Sequence, residues 1–201
     1  MFRVSWFDAG DLRRGLLVLG LCLAGTLCAK FAMAPYGVAA LAPLSLWPAL
    51  FLTRRMSLTD SALAGVLSSF FLSYLAFYWF AGALGRFGGY SRLQVEAVFL
   101  NLKYVALFWR WSLARRRGLR KWLRPRWLYF AFTLVLVDLL SPALFAWFFG
   151  NLWGGSLWMI QWAEFVGVHG VTFLLGVCAW WSFRATGFGL RLFGAWRSAR
   201  R

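Results

Sequence analysis

Long apolar stretches, separated by short groups of basic residues, make up most of this chain of 201 residues. The first stretch, residues 15–34, is about 20 residues long, the length that crosses ~30 Å of hydrocarbon at ~1.5 Å per residue. Similar stretches follow along the chain. The pattern predicts an all-α, polytopic integral membrane helix bundle. About six transmembrane helices are expected, at about residues 15–34, 38–52, 60–84, 93–113, 127–140 and 166–183.

Two of these predicted helices carry local signals. Residues 38–52 are short for a membrane span and contain Pro43 and Pro48. We therefore expect this helix to be tilted, kinked or shielded by neighbours that satisfy its freed carbonyls. Residues 60–84 carry a stripe of small residues, which favours close helix packing in lipid. Its members are Gly65, Ser68, Ser69 and Ser73.

The passage from Asp138 to Phe173 is rich in Trp and Gly and contains no Lys or Arg. Gly150-Asn151 and Gly154-Gly155 break its helical pattern, yet it is too apolar to lie in water. The pattern predicts a Trp/Gly-rich outer interfacial segment between the fifth and sixth helices. Four tryptophans in it are interpreted either as interfacial anchors or as specific lipid contacts: Trp147, Trp153, Trp158 and Trp162.

The composition supports a membrane protein, because 62% of the residues are hydrophobic and only 14% are charged, against about 25% charged in soluble domains. A net charge of +16 makes nucleic acid a candidate partner. The positions of the basic residues distinguish nucleic-acid binding from a signal for membrane orientation. With the N-terminus in the cytoplasm, most of them fall on one side of the membrane. We therefore predict that both termini are cytoplasmic and that nucleic acid is not a partner.

The three cysteines, Cys22, Cys28 and Cys178, lie in apolar runs without a CxxC pair or a nearby His. This pattern argues against a metal site or a disulfide framework. A nucleophilic cysteine needs a neighbouring base or positive charge, and the sequence supplies none beside these three. The chain is therefore predicted to have no catalytic residue of its own, no metal site and no cofactor.

Three charged residues fall inside the predicted helices: Glu96, Lys103 and Asp138. An unpaired charge at the depth of Lys103 costs at least ~2.5–3.5 kcal/mol, so a partner is expected, and Asp138 reaches a similar depth if its helix extends past Pro142. The pair is interpreted either as a structural ion pair or as a polar feature beside a lipid pathway. Glu96 is expected to pair with Arg92, four residues away, or to reach Lys103 through water.

Three polar residues, Gln161, Glu164 and His169, lie just before or at the start of the last predicted helix. They are interpreted either as contacts to lipid, substrate or a partner, or as a structural outer cap. Both interpretations stay open on the sequence.

Several phrases follow one another in a specific order along the chain. Ala34-Pro35-Tyr36-Gly37 precedes Leu41-Ala42-Pro43-Leu44, then come Phe77-Tyr78-Trp79 and Phe87-Gly88, and then the run from Gln161 to Phe173. Together they resemble the N-terminal membrane region of bacterial apolipoprotein N-acyltransferase, over roughly residues 15–185. His169 departs from the family pattern, in which an aromatic such as Tyr or Trp is expected.

The resemblance implies a role in lipoprotein biosynthesis. That enzyme transfers an acyl chain from a phospholipid to the N-terminal cysteine of a lipoprotein, at the outer side of the cytoplasmic membrane. In the family, a nitrilase-like domain supplies the Glu, Lys and Cys of a thioester mechanism. Here a basic tail from Arg184 to Arg201 stands where the family continues, so no catalytic residue is carried over and the isolated chain is expected to be inactive.

The resulting expectation is a single membrane domain, residues 1–201, without a soluble catalytic domain, in the bacterial inner membrane. Its implied partners are membrane phospholipid, a lipoprotein and a separate nitrilase-like chain. Two other hypotheses remain open. One is a non-enzymatic membrane scaffold or lipid-binding module, and the other is a truncated remnant without function.

Overall fold

The structure is a computed structural model, and it describes residues 9–53, 56–76, 102–116, 125–140 and 148–199. Within these ranges all regular secondary structure is helical. Three of the helices are long and apolar enough to cross a membrane, in the stretches Gly15–Ala32, Leu58–Leu75 and Leu157–Gly187. The all-helical fold class is confirmed, and the chain has the helices of a membrane protein.

The described elements are seven α-helices and one 3-10 helix. The α-helices are α1 (Ala9–Ala32), α2 (Leu41–Leu44), α3 (Trp47–Leu52), α4 (Leu58–Ala76), α5 (Leu102–Arg116), α6 (Arg126–Leu140) and α7 (Leu157–Ala199). The 3-10 helix, Phe149–Trp153, lies between α6 and α7. Residues 77–101, which contain parts of the third and fourth predicted helices and Glu96, lie outside the described residues.

The predicted helix at residues 38–52 is two short helices, α2 and α3, separated by a turn at Ser45 and Leu46. Pro48 has no N–H, so it cannot continue a helical hydrogen-bond ladder through this turn. Ser45 Oγ instead donates to the Ala42 carbonyl at 2.6 Å. The kink expected from the two prolines is therefore present, and it divides the element completely.

The last predicted helix, at 166–183, agrees with the structure at its start, where a break at Gly167 divides α7, and differs at its end. α7 begins at Leu157 and continues to Ala199, with a non-helical residue, Gly167, inside it (φ 69°, ψ 170°). A positive φ of this kind is readily adopted only by glycine, which explains the break. The helix passes through the predicted basic tail because no proline interrupts it there and because basic residues are favourable near a helix C-terminus.

The four small residues of α4 face other helices, as the sequence predicts. Ser68, Ser69 and Ser73 are buried. At Gly65 an added Cβ would lie 2.6 Å from Val105 Cα. The backbones of α4 and α5 therefore approach as closely as the missing side chain allows.

Aromatic side chains join α5, α6 and α7 at the end of the bundle where α5 ends and α6 begins. The Trp111 ring lies 5.0 Å from that of Phe130 and 5.8 Å from those of Tyr129 and Trp180. Such pairs each contribute about 0.5–1.5 kcal/mol beyond area burial. At the same end Ser61, in the first turn of α4, donates to Ser112 of α5 at 3.3 Å.

The close approach of α4 and α5 gives the first prediction. Gly65→Ala should lower the free energy of unfolding by about 1–3 kcal/mol, the usual cost of overpacking, because the new methyl meets rigid backbone. Gly20→Ala in α1 is the matched control, since nothing lies within 4 Å of its added Cβ. Thermal unfolding in nanodiscs measures both. Equal melting temperatures for the two variants would contradict the packing described.

Candidate functional site

A buried ion pair joins the start of α5 to the end of α6. Lys103 Nζ lies 2.9 Å from Asp138 Oδ1, and the two side chains are 2% and 0% exposed. The sequence predicts this partner from depth alone. The described part of α6 is Arg126–Leu140, and the expected extension past Pro142 falls on residues 141–147, which lie outside the described residues.

The Asp138 carboxylate also holds the chain that follows α6. The Phe149 backbone N–H donates to both carboxylate oxygens, at 3.0 and 3.2 Å. Thr172 Oγ1 of α7 donates to Oδ2 at 2.8 Å and accepts from the Gly150 N–H at 2.9 Å. We call this set the buried clamp: Lys103, Asp138, Phe149, Gly150 and Thr172. It connects four elements through one carboxylate.

The clamp forms here because the start of a helix leaves backbone N–H groups without partners. Phe149 and Gly150 are the first residues of the 3-10 helix. The Phe149 N–H donates to Asp138, and the Gly150 N–H donates to Thr172. Glycine is required at position 150, since a Cβ there would lie 2.7 Å from the Val168 carbonyl oxygen. The absence of that side chain lets the 3-10 helix lie directly against α7.

Phe148 connects the clamp to His169. Its ring centroid lies 4.7 Å from Lys103 Nζ and 5.0 Å from the His169 ring, which it meets edge to face at 79°. The imidazole therefore packs as an aromatic ring. This contact gives a physical reason why histidine is accommodated where the sequence resemblance leads one to expect Tyr or Trp.

Trp153 departs from its predicted role as a lipid or partner contact. Its side chain is only 4% exposed, and Nε1 donates to the Ala39 carbonyl at 2.8 Å. Just after it, Gly155 lies so close to Gly37 that an added Cβ would be 2.4 Å from the Gly37 Cα. The 3-10 helix is thereby tied to the turn after α1, and Trp153 belongs to the core.

The first ten residues of α7, before the break at Gly167, form what we call the surface helix (residues 157–166). Only Met159 and Ala163 in it pack against the core. Trp158 is 75% exposed, Trp162 52% and Phe165 84%. Gln161 and Glu164 are exposed as well. A soluble domain rarely leaves so many large apolar side chains uncovered together.

The surface helix has three different edges, because successive residues are rotated by about 100°. One edge carries Met159 and Ala163 and faces the core. The second carries the aromatic rings of Trp158, Trp162 and Phe165, and we call it the aromatic edge. The third, the polar edge, carries Gln161 and Glu164, with the exposed Leu157 and Ile160 beside them. This arrangement is typical of helices that lie in a membrane interface.

The structure thus separates the predicted site residues into two places. Lys103 and Asp138 lie in the buried clamp, and Trp158, Gln161, Trp162 and Glu164 lie on the surface helix. Trp147 and Glu96 lie outside the described residues. Sequence reasoning missed Phe149 and Gly150, since backbone N–H groups leave no signature in a sequence. Thr172 was missed as well, although a hydroxyl in an apolar helix is a signal that the sequence does contain.

Metal ligation has no support in the part of the chain that the structure describes, where no group of three His, Cys, Asp or Glu residues is placed to hold an ion. Of the cysteines, Cys22 is buried and Cys178 is exposed.

Comparison with known proteins identifies one family along most of the chain. A family model described as apolipoprotein N-acyltransferase N-terminal domain matches residues 24–181. Apolipoprotein N-acyltransferase 1 of Leptospira interrogans serovar Lai is 29% identical over 131 residues, which are 62% of this chain and 22% of that protein. Apolipoprotein N-acyltransferase 2 of serovar copenhageni is 37% identical over 51 residues, 25% of this chain and 9% of its own length. The chain thus spans about a fifth of the length of the first of these relatives.

The clamp predicts energetic coupling between α5 and α6. Lys103→Met and Asp138→Asn should each lower thermal stability, because each leaves the other charge buried without its partner. The double variant should recover part of the loss, with a coupling energy of about 0.6–1.7 kcal/mol, the range measured by such cycles between membrane helices. A double-mutant cycle on thermal unfolding in nanodiscs measures it.

Ser61→Ala combined with Asp138→Asn is the control cycle. Ser61 contacts Ser112, which is nine residues, about 13 Å along α5, from Lys103. Losses in this cycle should add. Additive losses in the Lys103 and Asp138 cycle as well would show that the ion pair does not couple the two helices.

Proposed function

Because the chain belongs to the family of apolipoprotein N-acyltransferase N-terminal domains, we propose that it presents phospholipid acyl chains for lipoprotein N-acylation. In this proposal it is a multi-pass protein of the bacterial cytoplasmic membrane with both termini in the cytoplasm. A nitrilase-like catalytic unit on a separate chain performs the acyl transfer. The observation that carries the proposal is the exposed aromatic edge of the surface helix, held in place by a buried polar clamp.

The distribution of charge supports an outer position for this site. The clamp lies near Leu102 of α5 and near Leu140 of α6. At the opposite end, α5 ends at Arg116 and α6 begins at the exposed Arg126. Basic residues are favoured on the cytoplasmic side of bacterial membranes. The clamp and the surface helix therefore belong at the outer face, where the family's acyl transfer takes place, and the predicted six crossings are consistent with this orientation.

The aromatic edge is suited to phospholipid. Indole and phenyl rings favour the region between headgroups and acyl chains. Exposed apolar residues are also present in the last turn described for α6, where Leu139 is 59% and Leu140 63% exposed. A lipid beside the surface helix would thus find apolar surface along its chains and polar side chains near its headgroup.

The clamp supports the site structurally and does not line a lipid pathway. The Asp138 side chain is 0% exposed, and both oxygens accept hydrogen bonds from Lys103, Phe149 and Thr172. A carboxylate so fully engaged has little capacity left for a passing headgroup. Of the two interpretations of the pair, the structural ion pair is favoured, and its function is to fix the chain that leads into the surface helix.

The orientation gives a prediction. In a chain whose three native cysteines are replaced by Ser, Ser156→Cys should react with a membrane-impermeant maleimide added to intact spheroplasts, because it lies beside the outer clamp. A cysteine added at the C-terminus should react only after the membrane is opened. Labelling of Ser156→Cys only from the cytoplasmic side would contradict the orientation.

The proposal that a separate chain performs the acyl transfer gives another prediction. The purified chain should transfer no labelled acyl group from phospholipid to a diacylated lipopeptide, since its family's Glu-Lys-Cys chemistry resides in another domain. Turnover that disappears in Cys178→Ser would contradict this.

Purification from native membranes tests the partner directly. Mass spectrometry should find phospholipid and a nitrilase-like chain retained together. Retention of lipid alone would favour the lipid-binding module instead.

A further inference from the structure

α7 continues past the contacts that hold it in the bundle. Trp47 Nε1 donates to Ser182 Oγ at 3.1 Å, and the Trp47 ring meets the Phe183 ring edge to face at 5.8 Å. Residues 184–187, which follow directly, are all exposed. The helix nevertheless continues to Ala199, which is ~24 Å beyond Phe183 at ~1.5 Å per residue.

Neighbouring helices locate the membrane surface at this end of the bundle. Trp180 of α7 packs 5.8 Å from Trp111, near the end of α5. α6 begins at the exposed Arg126, and Arg184 of α7 is exposed as well. Because a charge in the hydrocarbon is costly, the membrane surface lies near Arg184. The last part of the helix, which we call the basic segment (residues 188–199), therefore lies beyond the hydrocarbon.

The sequence of the basic segment has the spacing of an amphipathic helix. Five apolar residues fall on one face at about 100° per residue: Phe188, Leu192, Ala195, Trp196 and Ala199. Phe193 widens this face, and Arg191 and Arg197 fall beyond its two edges. Leu190 is the one large apolar residue on the far side. Residues 184–201 contain five Arg and no Asp or Glu.

The membrane is the nearest medium that can cover such a face. Helices with Arg on the polar positions and Phe, Leu and Trp on the apolar face lie in membrane interfaces. Clusters of basic residues beside a membrane-spanning helix also attract anionic lipid. Two glycines, Gly187 and Gly189, precede most of the segment, and nothing lies within 4 Å of a Cβ added at Gly187. Since glycine weakens a helix, α7 can bend towards the membrane there.

We propose that the basic segment lies on the cytoplasmic membrane surface and binds anionic phospholipid headgroups there. With its apolar face in the interface, the two edges that carry Arg191 and Arg197 lie at the level of the phosphates. The segment is outside residues 24–181, which the family model matches. The proposal takes the side of the membrane from the proposed function and otherwise goes beyond it, because it concerns the anchoring of the inner end of α7.

The test places a spin label on either side of the basic segment in the full chain. After the three native cysteines are replaced by Ser, Leu192→Cys labels the apolar face and Ser198→Cys labels a position outside it. The protein is placed in nanodiscs of phosphatidylcholine, with or without an equal part of phosphatidylglycerol. Electron paramagnetic resonance compares collisions with oxygen, which enters lipid, and with a water-soluble nickel complex. In anionic discs the label at 192 should collide more with oxygen and less with nickel than the label at 198.

Charge should control this burial. Each basic residue near an anionic surface favours the bound state by about fivefold, so Arg191→Gln combined with Arg197→Gln should lower the ratio of bound to free segment by about 25-fold. Arg191→Lys combined with Arg197→Lys retains the charge and is the matched control. A label at Leu136→Cys in α6, where Leu136 is 40% exposed, should report lipid in every disc. Thermal unfolding confirms that each variant is folded.

Equal water accessibility of the labels at 192 and 198 in anionic discs would overturn the inference. So would burial at 192 that is unchanged without phosphatidylglycerol or in the double Gln variant. A label at 192 that is protected in native membranes but not in anionic discs would identify a protein partner and would overturn it too.

The outcome is separable from that of the proposed function. The discs carry the same lipids on both faces, so the result does not depend on which face is cytoplasmic. Maleimide labelling of Ser156→Cys and co-purification test the proposed function without the basic segment. Failure of the lipid anchor would therefore leave the proposed function standing.

Discussion

Burial of the Asp138 carboxylate is the constraint on which the rest of this structure depends. A charge removed from water is tolerated only when hydrogen bonds and an opposite charge replace its hydration. Lys103 supplies the charge, and the N–H of Phe149 and the hydroxyl of Thr172 supply hydrogen bonds. Because these groups come from different elements, satisfying one carboxylate fixes α5, α6, the 3-10 helix and α7 relative to one another.

The surface helix is the functional consequence of that constraint. The 3-10 helix is held by the clamp on one side and by the Trp153 to Ala39 hydrogen bond on another. The surface helix then begins at Leu157 and ends at the backbone break at Gly167. Its exposed aromatic side chains would be unfavourable in water. A rigid base and an exposed aromatic helix together suit a protein that must present lipid at a defined place.

The sequence predicts the class of fold and the Lys103 to Asp138 pair because hydropathy and charge cost act through individual side chains. It does not predict that Phe149 and Gly150 complete the clamp, since their contribution is backbone N–H groups. The burial of Trp153 is also not predicted by the sequence. Burial of its indole depends on a carbonyl that is far away in sequence, at Ala39, whereas Trp158 and Trp162 are exposed. The predicted helix start near residue 166 corresponds to the break at Gly167, and the preceding helix from Leu157 was predicted only as an interfacial segment.

Hydrogen–deuterium exchange in nanodiscs tests most directly whether the clamp holds the site. Peptides covering residues 148–166 should be protected in the wild-type chain and should exchange faster in Asp138→Asn, which retains the side-chain volume but lacks the charge. Peptides from α1 should be unaffected. Equal protection of residues 148–166 in the two proteins would contradict the central role of the buried carboxylate.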